Sequence, residues 1–267
     1  MDIAFLKARK KECLRTLLGL YKKAGAGHIG SSLSCFDIMV YLFYHRMKPE
    51  DKFILSKGHA AAALYTLCAE TGRMPRTELD TFYKDGTFLS AHPPCRPNTN
   101  GILMGTGSLG HGLSLASGIA LAGRFTKQHF NVYCLISDGD CNCGSTWEAA
   151  LFAAHHSLDN LHVIIDNNGL QGFGRTDEVL GMGSLVDKWN SFGFFTRQTD
   201  CGNDFECLDR AFSLTDESGA HAPKCIVAKT IKGNGISFME NKLEWHYLPF
   251  TDALYKQALR ELEIDNA

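Results

Sequence analysis

The sequence predicts an α/β protein: a doubly wound, mainly parallel sheet with helices on both faces. Between residues 52 and 230, about five short apolar segments alternate with segments of helical periodicity. Such alternation is typical of a parallel sheet that is covered on both sides. A chain of 267 residues with 45% hydrophobic residues can bury a full core, and we find no linker, repeat or low-complexity segment in it. We therefore expect a single domain over residues 1–267.

Each element is predicted from a local pattern. The first segment has apolar residues at helical spacing and ends at Gly25 and Gly27. Ser34 and Asp37 have the spacing of a capping box near the start of the second helix. The segment 83–107 is rich in Gly, Pro, Asn and Ser, and a loop of that length is more often functional than idle. In chain order we predict helix 4–23, helix 32–47, strand 52–56, helix 59–72, loop 83–107, helix 109–125, strand segment 131–140, helix 144–158, strand segment 161–170, strand 193–199, helix 204–214, strand 223–230, and a loop and helix over 231–264.

Composition excludes several classes of protein. The 27 basic and 29 acidic residues give a formal charge of −2, and the absence of a basic run argues against nucleic acid or a membrane surface as a partner. We see neither a membrane-spanning apolar stretch nor a signal peptide. Scattered cysteines such as Cys35, Cys68 and Cys134 indicate reduced thiols in a cytoplasmic enzyme. Cys141 and Cys143 lack a second pair at zinc spacing, so we interpret them as ordinary thiols.

Polar side chains follow two of the predicted strands. Asp138 and Gly139 end one strand, and Asn168 follows the next one, with a helical segment between them. The two turns should therefore lie side by side at the carboxyl edge of the sheet, where open α/β sheets bind ligands. The carboxylate of Asp138, the amide of Asn168 and the backbone carbonyl of Leu170 are oxygen ligands suited to one Mg²⁺, which also takes substrate phosphates. The alternative is that Asp138 only caps the following helix.

Four further turns contain histidine or glycine beside an apolar element. They are AGHIGSSLS with His28, LSKGHAAAALY with His59, LSAHPP with His92, and GTGSLGHGLS from Gly107. Together with SDGD, DNN and the late segment KTIKGNGISFMENKLEWH, they occur in the order found in transketolases. From about residue 10 to 250 the chain resembles the N-terminal, thiamine-diphosphate-binding half of a transketolase. The alternative is that each histidine, taken alone, is a surface or core residue and that the glycines only allow helices to pack closely.

The resemblance implies a role for each of these residues. Asp138, Asn168 and the Leu170 carbonyl would bind Mg²⁺, and Mg²⁺ would bind the cofactor diphosphate. The residues expected to contact thiamine diphosphate are His59, Gly107, Ser108, Leu109, Asp138, Gly139 and Asn168. The catalytic residues expected around the reacting carbonyl and hydroxyls are His28, His92 and His246.

The chain also departs from the family's pattern at several of these turns. Six positions differ in this way. The chain has Ile29 where the family usually has Pro, Pro94 in place of Glu, His111 in place of Gln, Ser137 in place of Gly, Cys143 in place of Glu, and Tyr247 in place of Gly.

The resemblance implies one subunit of a split enzyme. A transketolase has a further domain that supplies a proton relay and the substrate-phosphate site, and the resemblance does not extend to it. We expect a separate C-terminal subunit, two copies of each, and transfer of a two-carbon ketol unit from a ketose or its phosphate to an aldose. Two alternatives stay open: another thiamine-diphosphate enzyme, such as a lyase or a 2-oxo acid decarboxylating subunit, and a non-catalytic cofactor-binding scaffold.

Overall fold

Five parallel strands form the central sheet of the computed structural model, which describes residues 1–95, 101–217 and 219–264. The order across the sheet is β1-β2-β3-β5-β4, and every neighbouring pair is parallel. The predicted strands are thus confirmed. In chain order they are β1 (Lys52–Leu55), β2 (Val132–Ser137), β3 (Leu161–Asn167), β4 (Phe195–Thr199) and β5 (Lys224–Lys229).

Helices connect the strands. The described α-helices are α1 (Ile3–Ala24), α2 (Ile29–Tyr41), α3 (Ala61–Glu70), α4 (Arg76–Leu79), α5 (Gly112–Phe125), α6 (Gly144–His155), α7 (Thr176–Leu180), α8 (Leu185–Ser191), α9 (Phe205–Asp216) and α10 (Asp252–Ile264). Residues 96–100, inside the predicted loop 83–107, lie outside the described residues. Within the described part of the chain, every helix is too short or too polar to cross a bilayer.

Both faces of the sheet are covered. In β2, Tyr133 and Leu135 belong to a buried cluster with residues of α1, α2, α3, α9 and α10. The alternate residues Cys134 and Ile136 belong to a second buried cluster with residues of α5, α6 and α8. Because successive side chains of a strand point to opposite faces, this division confirms the doubly wound α/β fold.

The second helix begins earlier than predicted. It starts at Ile29, and His28 precedes it in a left-handed conformation with φ of 73°. Ser34 and Asp37 are buried inside α2, so the predicted capping box at its start is wrong. Their side chains serve distant partners instead: Ser34 Oγ donates to Asp166 Oδ1 at 2.7 Å, and Asp37 pairs with Lys10 at 2.6 Å.

Two cysteines are joined. Cys201 and Cys207 form a disulfide, so the prediction of reduced thiols throughout is wrong for this pair. Cys35, Cys68 and Cys134 are free and buried, as expected. The cytoplasmic location stays a prediction.

Candidate active site

One cavity of about 210 Å³ opens at the carboxyl edge of β2 and β3. The register pairs Ser137 with Asp166, so Asp138 and Asn168 follow neighbouring strand ends, as predicted. Ser108 is exposed and does not line the cavity. All the other predicted site residues line it: His28, His59, His92, Gly107, Leu109, Asp138, Gly139, Asn168, Leu170 and His246.

Asp138 joins the two strand-end turns. Its Oδ1 accepts a hydrogen bond from the backbone N–H of Gly139 at 2.9 Å, as a capping residue would. Its Oδ2 accepts from the N–H of Gly169 at 2.9 Å and from Thr176 Oγ1 at 2.8 Å, across the gap between the strands. Asp138 therefore does more than cap the turn that follows it, because it also links the two strand ends. Burial raises the pKa of Asp138, although the hydrogen bond from Thr176 opposes the rise. A bound cation would favour the charged carboxylate.

The side chain of Asn168 is held in one orientation. Its Nδ2 donates to Ser34 Oγ at 2.9 Å and to Asp166 Oδ2 at 3.3 Å, and its Oδ1 accepts from the N–H of Leu170 at 2.9 Å. An amide oxygen has a second lone pair. The carboxylate of Asp138, the Asn168 amide oxygen and the Leu170 carbonyl thus form a set of hard oxygen donors, which fits Mg²⁺.

A buried ion pair lies beneath this turn. Lys57 and Asp166 are in direct contact, and their side chains are 1% and 0% exposed. Lys57 Nζ also donates to the Ser31 carbonyl at 3.1 Å, and Asp166 accepts from Thr230. Burial alone would lower the pKa of Lys57, but the charge of Asp166 outweighs it and the pKa is raised. Neither residue was predicted from the sequence. The sequence nevertheless pointed to both residues. Lys57 directly precedes Gly58-His59, and Asp166 lies two residues before Asn168, so the two side chains point to the same side of an extended chain.

Lys232 is a second site residue that was not predicted. Its Nζ donates to the Leu170 carbonyl at 3.1 Å and to His246 Nδ1 at 2.9 Å. Burial and the neighbouring charge of Lys57 lower the pKa of Lys232 to about 8, against the opposite effect of Asp138. An anion bound in the cavity would stabilise the charged ammonium.

The four predicted histidines form a cluster around His28. Ring centroids lie 5.6 Å from His28 to His59, 5.8 Å to His92 and 5.2 Å to His246. The backbone N–H of His28 donates to the His246 carbonyl at 2.9 Å, which ties the start of α2 to the segment 243–246.

The four imidazoles are neutral near pH 7. Burial lowers the pKa of His28 to about 4 and that of His246 to about 3, with further lowering by neighbouring positive charge. Burial also lowers the pKa of His92, and that of His59 lies well below its ordinary value for the same reason. A neutral imidazole offers one hydrogen-bond donor and one acceptor, which suits contact with sugar hydroxyls.

Asp140 connects the glycine turn to the metal turn. It is fully buried, and its Oδ1 accepts from the Gly110 N–H at 2.8 Å and from Ser56 Oγ at 2.6 Å. Its Oδ2 accepts from Ser137 Oγ at 2.7 Å. Ser137 in place of the usual glycine therefore adds a hydrogen bond to this connection. Leu109 lies close to the same turn, since a Cβ atom at Gly139 would be 3.4 Å from Leu109 Cδ1.

The chain is similar to known proteins along nearly its whole length. The family described as transketolase, thiamine diphosphate binding domain, matches residues 9–266. The chain is 36% identical to an apulose-4-phosphate transketolase subunit of Phocaeicola vulgatus, covering 98% of this chain and 95% of that protein. It is 39% identical to the 6-deoxy-6-sulfo-D-fructose transketolase subunit SqwG of a Clostridium species, covering 92% of this chain and 91% of that protein. The crystal structure of Campylobacter jejuni transketolase superposes with a TM-score of 0.88 at 27% identity, covering 98% of this chain and 43% of that chain.

The chain therefore spans nearly all of the two subunit relatives and less than half of the Campylobacter transketolase. The predicted resemblance is confirmed, together with the prediction of a transketolase-type transferase that uses thiamine diphosphate. Mg²⁺ as the bound ion stays a prediction. This chain belongs to the transketolase family, and within it to the part that binds thiamine diphosphate.

Proposed function

We propose that the chain, as one unit over residues 1–267, is the N-terminal subunit of a split transketolase. It transfers a two-carbon ketol unit from a ketose or ketose phosphate to an aldose, together with a separate C-terminal subunit. One observation carries the proposal: a single cavity joins the oxygen-ligand turn of Asp138 and Asn168 to the histidine cluster around His28. A cation and its diphosphate need the first part, and a polyhydroxylated substrate needs the second.

In this proposal, Asp138, Asn168 and the Leu170 carbonyl bind Mg²⁺. Lys232, whose ammonium is 3.1 Å from the Leu170 carbonyl, would offset the negative charge of the diphosphate. The other cofactor contacts are His59, Gly107, Leu109 and Gly139, which all line the cavity. Thiamine diphosphate supplies, when bound, the nucleophilic carbon that breaks and remakes a C–C bond beside a ketone.

His28, His92 and His246 hold the substrate in this scheme. Their lowered pKa values keep the rings neutral. His28 and His92 can therefore each donate one hydrogen bond to a ketose hydroxyl and accept another, whereas His246, whose Nδ1 accepts from Lys232, can only donate through Nε2. A neutral ring nitrogen can also take a hydroxyl proton as the C–C bond breaks. The hydrogen bond from Lys232 to Nδ1 keeps the proton of the neutral His246 ring on Nε2, so this ring offers the substrate a donor.

The assembly that we propose contains two copies of each subunit. An exposed apolar face on α5 and α6 supports it, since Phe125, Leu151 and Phe152 are 80%, 59% and 41% exposed. The open space above Gly118 on α5 would let a neighbouring chain approach closely. Apolar patches of this kind are typical of interfaces between subunits.

The test is reconstitution. The purified chain is mixed with a C-terminal transketolase subunit from the same organism, Mg²⁺ and thiamine diphosphate, and ketol transfer to an aldose is measured. The donors are fructose 6-phosphate, apulose 4-phosphate and 6-deoxy-6-sulfofructose, the last two being the compounds for which the relatives are named. We expect transfer only with both subunits present, and its loss when Mg²⁺ is chelated.

Two other results would contradict the proposal. Release of CO₂ from pyruvate-like acids without ketol transfer would indicate a 2-oxo acid decarboxylating subunit. Cofactor binding by the complex with neither reaction would indicate a scaffold.

A further inference from the structure

Tyr247 lies at the mouth of the cavity, where this chain departs from the family's usual glycine. It lines the cavity together with the histidine cluster. The centroid of its ring is 4.7 Å from that of His246 and 6.2 Å from that of His28, and 56% of the residue is exposed. One side of the ring thus faces the site and the other faces outward.

The phenol is directed into the wall of the cavity by its fit to Gly172. A Cβ atom at Gly172 would lie 2.5 Å from the hydroxyl oxygen of Tyr247 and 3.2 Å from His246 Nε2. A side chain at position 172 would therefore have to displace the free end of Tyr247. Tyr247 and Gly172 thus pack against each other on one side of the cavity, between the metal turn and the segment 243–248.

The backbone of Tyr247 is held as well. Its N–H donates to the Glu244 carbonyl at 3.0 Å. On the other side, Gly27 approaches the Tyr247 carbonyl so closely that a Cβ there would lie 2.8 Å from the oxygen. The side chain is thus presented from an anchored segment, which is what a substrate-selecting residue needs.

The chemistry of the side chain differs from that of its neighbours. The positive charges of Lys57 and Lys232 suit a diphosphate, and the negative charge of the oxygen ligands suits a metal ion. Tyr247 supplies a neutral hydroxyl that can donate or accept, on a flat apolar ring. The contacts of its ring with His28 and His246 place it beside the proposed ketose site.

We infer that Tyr247 is a specificity-determining residue, whose phenol contacts the neutral, hydroxyl-bearing part of the ketose beyond the two transferred carbons, while its ring limits the width of the opening. The inference rests on the proposed transketolase function. The expected ligand is a ketose that has a free hydroxyl within reach of the phenol and no bulky substituent at the same carbon.

The experiment uses the reconstituted complex with three variants of this chain. Tyr247→Phe removes only the hydroxyl, Tyr247→Gly also removes the ring, and Tyr255→Phe is the matched control. Tyr255 lies on α10 against Phe250, outside the cavity lining. Initial rates are measured at saturating aldose over a range of each donor: xylulose 5-phosphate, fructose 6-phosphate and 6-deoxy-6-sulfofructose. The half-saturating concentration of thiamine diphosphate is measured in parallel.

We expect Tyr247→Phe to raise KM for the preferred donor about twofold to tenfold with little change in kcat, the effect of one lost neutral hydrogen bond in binding. Tyr247→Gly should in addition change the ratio of kcat/KM between two donors by about tenfold or more, since it reshapes the opening. The half-saturating concentration of thiamine diphosphate should stay at the wild-type value in both variants. Tyr255→Phe should match the wild type throughout.

Wild-type donor constants and donor ratios in both Tyr247 variants would overturn the inference while leaving the proposed function intact. A raised half-saturating concentration of thiamine diphosphate, with donor KM unchanged, would also overturn it, because Tyr247 would then serve the cofactor. An inactive wild-type complex would instead overturn the proposed function, and the inference with it.

Discussion

The buried ion pair of Lys57 and Asp166 should determine both the stability of the chain and the geometry of its metal turn. The substitution Asp166→Asn removes the negative charge but keeps the shape. It leaves the ammonium of Lys57, 1% exposed, without its counter-charge. Removing one partner of a buried ion pair costs about 3–5 kcal/mol, because the other charge stays buried and uncompensated. The substituted amide can still accept one hydrogen bond, so we expect the free energy of unfolding to fall by about 3 kcal/mol, the lower end of this range.

The same substitution should weaken the metal site. Asn168 Nδ2 donates to Asp166 Oδ2 at 3.3 Å, and Ser34, its other acceptor, itself donates to Asp166. Loss of such supporting contacts typically lowers metal affinity about tenfold to a hundredfold. The free energy of unfolding is measured by urea denaturation of the isolated chain. The half-saturating Mg²⁺ concentration is measured in the assembled enzyme.

A matched control is available on the surface. Asp200 pairs with Lys229 at 2.7 Å, but its side chain is 73% exposed. Asp200→Asn should therefore leave the free energy of unfolding almost unchanged, because exposed ion pairs contribute little to stability. The double variant Lys57→Met with Asp166→Leu replaces both charges by apolar groups and should cost much less than the two single changes together. A loss for Asp166→Asn no larger than that of the control, or strict additivity in the double variant, would refute the reasoning.

Three more results are expected. His28 and His246 have a lower pKa in the folded chain, about 4 and about 3, than the ordinary 6.5, so the unfolded chain binds more protons below pH 6.5 and stability falls as the pH decreases. With a discount for partial exposure we expect a loss of about 2 kcal/mol between pH 7 and pH 5, measured by denaturation at each pH, and a flat profile would contradict the assignment. Asp138→Ala should abolish Mg²⁺-dependent binding of thiamine diphosphate in calorimetric titration of the assembled complex, and wild-type affinity would exclude Asp138 as a ligand. Reduction of the Cys201–Cys207 disulfide, which closes a short loop with a sequence separation of 6, should cost about 2 kcal/mol of unfolding free energy in urea, whereas a Cys201→Ser variant should not respond to the reductant.

Much of the site was predictable from local sequence. The turns of Asp138 and Asn168 meet because the residues between them form a crossover helix, which requires parallel strands whose carboxyl ends share one edge. The order of the histidine turns predicted that His28, His59, His92 and His246 would share a site. The cavity confirms this convergence.

Local sequence misled where a side chain serves a distant partner. Ser34 and Asp37 have the spacing of a capping box, yet Ser34 bonds to Asp166, which is 132 residues away in the chain. Asp37 accepts from Asn203 and Asn234, which are 166 and 197 residues away. A capping rule considers only neighbours within one turn, whereas burial of α2 made long-range partners available for the polar groups on it.

The sequence by itself determined the class of the fold, the neighbouring strand ends and the family, because each depends on periodicity and on residues close together in the chain. Only the tertiary structure decided that Lys57 pairs with Asp166, that Lys232 contacts Leu170, that Cys201 is bonded to Cys207 and that Tyr247 fits against Gly172. With the exception of the disulfide, these contacts join segments far apart in the sequence, so they exist only after the sheet and its two helical layers have brought those segments together.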